Sequence, residues 1–178
     1  MKLLFLDFDG VLNSYRPTKV GSPPPGWEDR QPPQSSGINP RGLLKELDVG
    51  KVSLLNDIVS SSGCKVVVSS AWRLQFNLEE LRWLLEGAGF VGDVVGVTPD
   101  HSRQPKLSLY IPGVRGLEIE AYLEKQYSLE GLVILDDLEY SGGVGEYWVK
   151  TDPYVGLTPE GVQTAKDILN AGLMGEPW

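Results

Sequence analysis

Cysteine is almost missing from this 178-residue chain, with Cys64 the only one. A single thiol cannot close an internal disulfide, so nothing points to an oxidising compartment. Cys64 precedes an apolar run and reads as an inert small hydrophobe. Histidine is as scarce, with His101 alone in a polar stretch. That leaves no basis for a histidine-based triad or a zinc cluster. Basic charge is short too: 16 Lys and Arg stand against 24 Asp and Glu, a net charge of −8. A protein built mainly to grip nucleic-acid backbone carries a basic excess. No stable nucleic-acid complex is therefore expected from charge, although a local basic pocket stays open. No run of eighteen apolar residues occurs, and the residues after Met1 and Lys2 show no signal-peptide h-region and cleavage site. The expectation is a soluble, cytoplasmic protein with no membrane association. A glycine-rich phosphate loop ending in Gly-Lys-Ser or Gly-Lys-Thr is missing, as is any internal repeat. The length favours a single domain, residues 1–178, large enough to bury a core.

What is present is concentrated first in residues 3–12, LLFLDFDGVL. The apolar residues predict a short buried strand, followed by Asp7 and Asp9 two positions apart. In an extended backbone that spacing sends both carboxylates to one side. Gly10 lets the chain turn away at once. Two like charges this close repel unless a cation sits between them or one holds a proton. The pair therefore predicts a site for a hard divalent metal with oxygen ligands. Two solvated acids in a turn are the plainer alternative.

After Leu12 the pattern dissolves. Residues 14–40 hold seven prolines, with Pro23, Pro24 and Pro25 consecutive, which neither a helix nor a central strand survives. Directly after the aspartate pair, such a loop reads as a flap over the site, with a floppy insertion as the alternative. Helical spacing resumes with Val52, Leu55, Ile58 and Val59 before Gly63. KVVVS at 65–69 predicts a second buried strand. Asn77 and Glu80 predict a capping box for a helix carrying Leu81, Leu84 and Leu85, closed by Gly87 and Gly89. Val94–Val97 predicts a short strand and 99–114 a loop. A helix is expected over Arg115–Tyr127, with Leu117, Ala121 and Leu123 in the core. Leu132–Leu135 predicts a strand running into Asp136 and Asp137, and Gly142 and Gly143 a tight turn after them. Tyr147–Lys150 predicts a last strand. Thr158 as N-cap with Pro159 at the first position starts a last helix. Alternating strands and helices imply an α/β fold with a mostly parallel sheet covered on both faces. Ligands then bind beyond the carboxyl ends of the strands, where Asp7, Asp9, Ser69, Asp136 and Asp137 fall.

These residues suit phosphoryl transfer. Mg²⁺ takes one or two carboxylates plus waters and phosphate oxygens, and Asp7 and Asp136 can supply the carboxylates. A phosphate dianion would be repelled from this cluster without the metal. One carboxylate can attack phosphorus to form an aspartyl-phosphate. Its neighbour two residues on can protonate the leaving alkoxide and later deprotonate the hydrolytic water. Asp7 and Asp9 have the spacing for these two tasks. Ser69 can donate hydrogen bonds to the phosphoryl group, and Arg115 can offer a guanidinium, with Lys106 the competing cation.

Taken in order, these segments resemble the four motifs of the haloacid dehalogenase-like (HAD-like) superfamily of phosphatases. The likeness of DFDGV to the first motif implies Asp7 as nucleophile and Asp9 as general acid–base, with the Asp9 carbonyl also on the metal. KVVVSSAWR resembles the second, with Ser69 the first choice and Ser70 the second. RGLEIEAYL resembles the third and points to Arg115. VILDD resembles the fourth, with Asp136 as metal ligand and Asp137 beside it. The fold implied is a Rossmann-like three-layer α/β sandwich, here with only a small loop flap as cap. SSAWR, RGLEIEAYL, LDD and TDPYVGLT together are similar to the HAD domains of RNA-repair proteins, over residues 1 to about 170. Related domains in polynucleotide kinase-phosphatases remove terminal phosphates from nucleic-acid ends. The resemblance thus implies a Mg²⁺-dependent phosphomonoesterase acting on a nucleotide, or on an RNA or DNA end.

Around the motifs, Gly10, Ser70, Trp72 and Arg73 are candidates for substrate binding. Trp72 would stack on a base or belong to the core; Arg73 would hold a phosphate or pair with an acid. Asp152 reads as structural. Other readings are a non-catalytic binding module of the same fold, a phosphatase of small metabolites or phosphoproteins, and a phosphoacceptor receiver domain. The order of the acidic residues opposes the last.

Overall fold

The computed structural model describes residues 1–15, 23–27, 29–33, 36–101, 114–138 and 143–173. These form a five-stranded sheet made of β1 (Lys2–Leu6), β2 (Lys65–Val68), β3 (Val94–Val97), β4 (Gly131–Asp136) and β5 (Trp148–Lys150). Its order is β3-β2-β1-β4-β5, and each neighbouring pair is parallel. The sheet is thus wholly parallel over the described strands, where a mostly parallel one was expected. The chain builds outward from β1 on one side through β2 and β3, then returns to the other side through β4 and β5. Parallel strands need crossovers, and α1 (Val49–Ser62), α2 (Leu78–Gly87) and α3 (Val114–Leu123) lie in those joining β1 to β2, β2 to β3 and β3 to β4, whereas α4 (Pro159–Ala171) follows β5.

Strand alternation sorts the core into two layers. Leu4 and Leu6 of β1 join Val66, Val68, Val133 and Leu135 beneath α1, α2 and α4. Leu3 and Phe5 face the other way, with Val67, Leu132 and Ile134, against Ile119 and Leu123 of α3. Local chemistry sets the helix ends. Gly63 closes α1 in the left-handed conformation at φ 67°. The capping box of Asn77 and Glu80 opens α2. Thr158 accepts from the Gly161 amide at the start of α4, with Pro159 in its first turn.

Two details of α3 differ from expectation. It ends at Leu123, not Tyr127, because Lys125 and Gln126 bond back to Tyr122 and Leu123 in tight i−3 turns. Leu117 is exposed, because Gly116, Ile119 and Leu123 form the buried stripe and turn Leu117 to the opposite side. Part of the proline-rich stretch is anchored away from the aspartates. Trp27 is buried against Trp83 of α2 at a ring separation of 3.9 Å, and the Ser36 hydroxyl donates to Glu80 at 2.8 Å. The flap expected over 14–40 includes 16–22, 28 and 34–35, which lie outside the described residues, as does Gly142. No described helix is long and apolar enough to cross a membrane.

Candidate active site

Asp7 is the first residue past β1, and its amide still bonds to Leu135 in β4 at 3.0 Å. Asp136 ends β4. The register Leu6↔Leu135 therefore places the two carboxyls side by side at the rim. Both are buried, Asp7 at 3% exposure and Asp136 at 0%. Carboxyl oxygens of Asp7, Asp136 and Asp137 lie within 4.8 Å of one another. Three acids this close need a positive partner.

Arg115, in the first turn of α3, meets that need in part. Its Nη1 donates to Asp7 Oδ2 and to Asp136 Oδ2, the latter at 2.7 Å. The remaining oxygens are held by backbone: Asp7 Oδ1 accepts from the Phe8 amide at 2.8 Å, and Asp136 Oδ1 from the Leu138 amide at 2.9 Å. Burial, reinforced by Asp136, still raises the Asp7 carboxyl from 3.8 to about 6, with Arg115 and the Ser70 hydroxyl opposing. Asp137 is raised as well, by burial and then by Asp7. An oxygen-only donor set with surplus negative charge fits a hard divalent cation such as Mg²⁺.

Asp9 faces solvent, unlike Asp7. Asn13 Nδ2 donates to its Oδ1 at 2.8 Å and Trp72 Nε1 to its Oδ2 at 3.1 Å. These bonds use two of about four lone-pair sites on a carboxylate, so either oxygen can still meet a substrate or carry a proton. Gly10 follows at φ 73°. A Cβ there would stand 2.6 Å from Asp137 Cγ, so glycine is required both by conformation and by the close approach. Thr151 Oγ1 donates to the Gly10 carbonyl at 2.7 Å, and the Thr151 amide to the Asp136 carbonyl at 3.0 Å. One residue thereby ties the loop after β1 to the end of β4.

At the end of β2 the two serines differ. The Ser69 hydroxyl is buried and has no partner among the described residues. The Ser70 hydroxyl bonds to Asp7, and it also accepts from the Trp72 amide at 3.4 Å. Trp72 is half-buried and packs edge-on to Phe8 at 5.1 Å, and its indole N–H holds Asp9. Arg73 does not reach the pocket. Its guanidinium pairs with Glu118 and donates to the carbonyls of Ser69, Ser70, Thr98 and Pro99. Five donors meet five acceptors, and the side chain is 4% exposed. It clamps the ends of β2 and β3 to α3, so of the two roles weighed for Arg73, a phosphate or an acid, the structure shows the pairing with an acid in place of the phosphate contact.

Residues 3–162 match the model of the HAD domain in Swiss Army Knife RNA repair proteins. The chain belongs to this family. The match covers β1 through the start of α4, and so every candidate site residue. No curated protein and no solved structure gives a significant match. Membership of the HAD family supports a phosphatase of the HAD type.

Sequence reasoning did not single out Asn13, Thr151 or Glu118. Asn13 is four residues after Asp9, a spacing that permits a local side-chain bond. Thr151 and Glu118 act across 141 and 45 positions of chain, so no local signal marks them. Lys106, the competing cation, lies outside the described residues. Asp152 accepts from the Tyr154 amide at 2.7 Å and shapes the turn beyond β5.

Proposed function

We propose that this chain is a Mg²⁺-dependent phosphomonoester hydrolase that works through an aspartyl-phosphate on Asp7, as a single domain with a small loop cap. The convergence of Asp7, Arg115, Asp136 and Asp137 at one sheet rim carries this reading. Asp7, Asp136, Asp137 and the Asp9 carbonyl would hold the metal, which would neutralise phosphate charge and polarise the phosphoryl group. The Asp7 carboxylate attacks phosphorus as the bond to the leaving oxygen breaks. Asp9, entering as the acid, gives its proton to that oxygen. Water then attacks the same phosphorus, Asp9 takes the water proton, and the Asp7 oxygen–phosphorus bond breaks to release phosphate. Arg115 bridges Asp7 and Asp136, and so keeps the nucleophile oriented while compensating charge. The Ser69 hydroxyl is an unused buried donor beside the nucleophile, suited to a phosphoryl oxygen.

The substrate class favoured is a terminal phosphate on a nucleotide or polynucleotide, as the family's occurrence in RNA repair suggests. A cytoplasmic location fits the single cysteine. Phosphate release with Mg²⁺ from a terminally phosphorylated oligonucleotide, beside small sugar phosphates and the Asp7→Asn variant, tests this. The expected order is oligonucleotide first, with Asp7→Asn inactive. Much faster turnover of the sugar phosphates would overturn the polynucleotide assignment.

A further inference from the structure

A carboxyl that protonates a leaving oxygen must lie within hydrogen-bond reach of it. The leaving group therefore belongs against Asp9. Asp9, Gly10 and Asp137 line an open cavity of about 350 Å³ together with Tyr15, Lys45 and Pro153. That volume is within the range of small-molecule sites.

One of the lining residues, Tyr15, is aromatic. The Tyr15 ring is 77% exposed and lies against Tyr154, itself 57% exposed, at a centroid separation of 5.2 Å and an angle of 42°. The Tyr15 amide donates to the Pro153 carbonyl at 3.1 Å, which joins the loop after β1 to the turn after β5. Tyr15 thus brings an exposed ring to the cavity that Asp9 also lines, and the exposed Tyr154 ring packs against it. Nucleobases stack on such faces whatever their sequence.

Charge narrows the occupant further. Asp9, Glu46 and Asp137 outnumber Lys45 around the cavity. Several phosphates inside the cavity would be repelled, whereas a nucleoside with one phosphodiester there matches one cation, and the rest of a strand lies outside it. Lys45 makes no ion pair among the described residues and is exposed.

We propose that this cavity is the leaving-group site and takes the terminal nucleoside of a phosphorylated strand, with its base against Tyr15 and Tyr154 and the next phosphodiester at Lys45. The inference rests on the phosphatase reading above, because it takes Asp9 as the proton donor.

The test compares a terminally phosphorylated trinucleotide with glycerol phosphate, using wild type, Tyr15→Ala, Tyr154→Ala and Lys45→Ala. Binding of 3′- and 5′-phosphorylated fluorescent trinucleotides is measured in parallel by anisotropy, in an Asp7→Asn background. These side chains are exposed, so the variants fold. Loss of one stacking ring should lower the ratio of kcat/KM for trinucleotide over glycerol phosphate about tenfold. The change should sit mainly in KM, with Kd rising in step. Lys45→Ala should weaken trinucleotide binding and flatten its salt dependence. Equal effects on both substrates, or none, would overturn the inference while leaving the hydrolase reading intact. A wild type that hydrolyses neither substrate, yet binds trinucleotide through Tyr15, would keep the cavity and remove the reaction. Absence of trinucleotide binding beside active glycerol phosphate hydrolysis would do the reverse.

Discussion

Replacing Asp7 with asparagine removes the proposed nucleophile, and it also removes a buried charge. Burial and Asp136 raise the Asp7 carboxyl from 3.8 to about 6. The folded protein then binds more protons than the unfolded chain between those values. Stability is therefore greatest below the unfolded value and is lost as pH rises through about 6. A displacement of this size corresponds to about 3 kcal/mol lost by pH 8 in metal-free protein. Asparagine carries no such charge. Its Oδ1 can still accept from the Phe8 amide, but its Nδ2 would face the Arg115 donor, a mismatch costing about 1 kcal/mol. In chelator at pH 8, Asp7→Asn should be more stable than wild type by about 2 kcal/mol, or roughly 4–8 °C in Tm. Near pH 4 the difference should vanish or change sign, because Asp7 is then protonated. Mg²⁺ at pH 8 should raise the wild-type Tm more than that of the variant. Thermal unfolding by circular dichroism across pH 4–8, with and without Mg²⁺, measures all three. A variant less stable than wild type at pH 8, by the same margin at every pH, would refute the electrostatic reasoning.

Gly10→Ala should lower activity at least tenfold and reduce Tm, because its Cβ meets Asp137 at 2.6 Å and φ is 73°; kinetics and melting together check it. Arg115→Ala should lower kcat by about 10²–10³-fold, the scale of losing one positioned charged donor; Arg115→Lys should recover part of it. Arg73→Leu should cost about 3–5 kcal/mol by leaving Glu118 buried and unpaired, with Arg73→Leu/Glu118→Leu recovering stability in a denaturant titration.

The strands that carry the candidate site's acids were legible because their chemistry is local. LLFLD and VILDD each carry an apolar run and an acid at its end, and both become parallel strands with their acids at the rim. The Asn77–Glu80 box and the Thr158-Pro159 pair were equally readable, since a cap is settled within four residues. Arg73 was not legible. Beside a serine motif, an arginine suits a phosphate as well as an acid, and only the approach of α3 brings Glu118 to it. Leu117 failed for a related reason: an apolar residue on a short helix gives no hint of which stripe the sheet will cover. The Tyr15–Tyr154 pair and the Thr151 tie depend on the turn beyond β5 returning to the loop after β1.

The proposed reaction requires phosphate to pass through Asp7. Rapid acid quenching during turnover of a phosphorylated oligonucleotide, followed by peptide mass spectrometry, tests that passage most directly. The expected result is a hydroxylamine-labile phosphate on Asp7 in wild type and none in Asp7→Asn. Continued turnover by Asp7→Asn, or a wild type that turns over with Asp7 unmodified at every quench time, would contradict it.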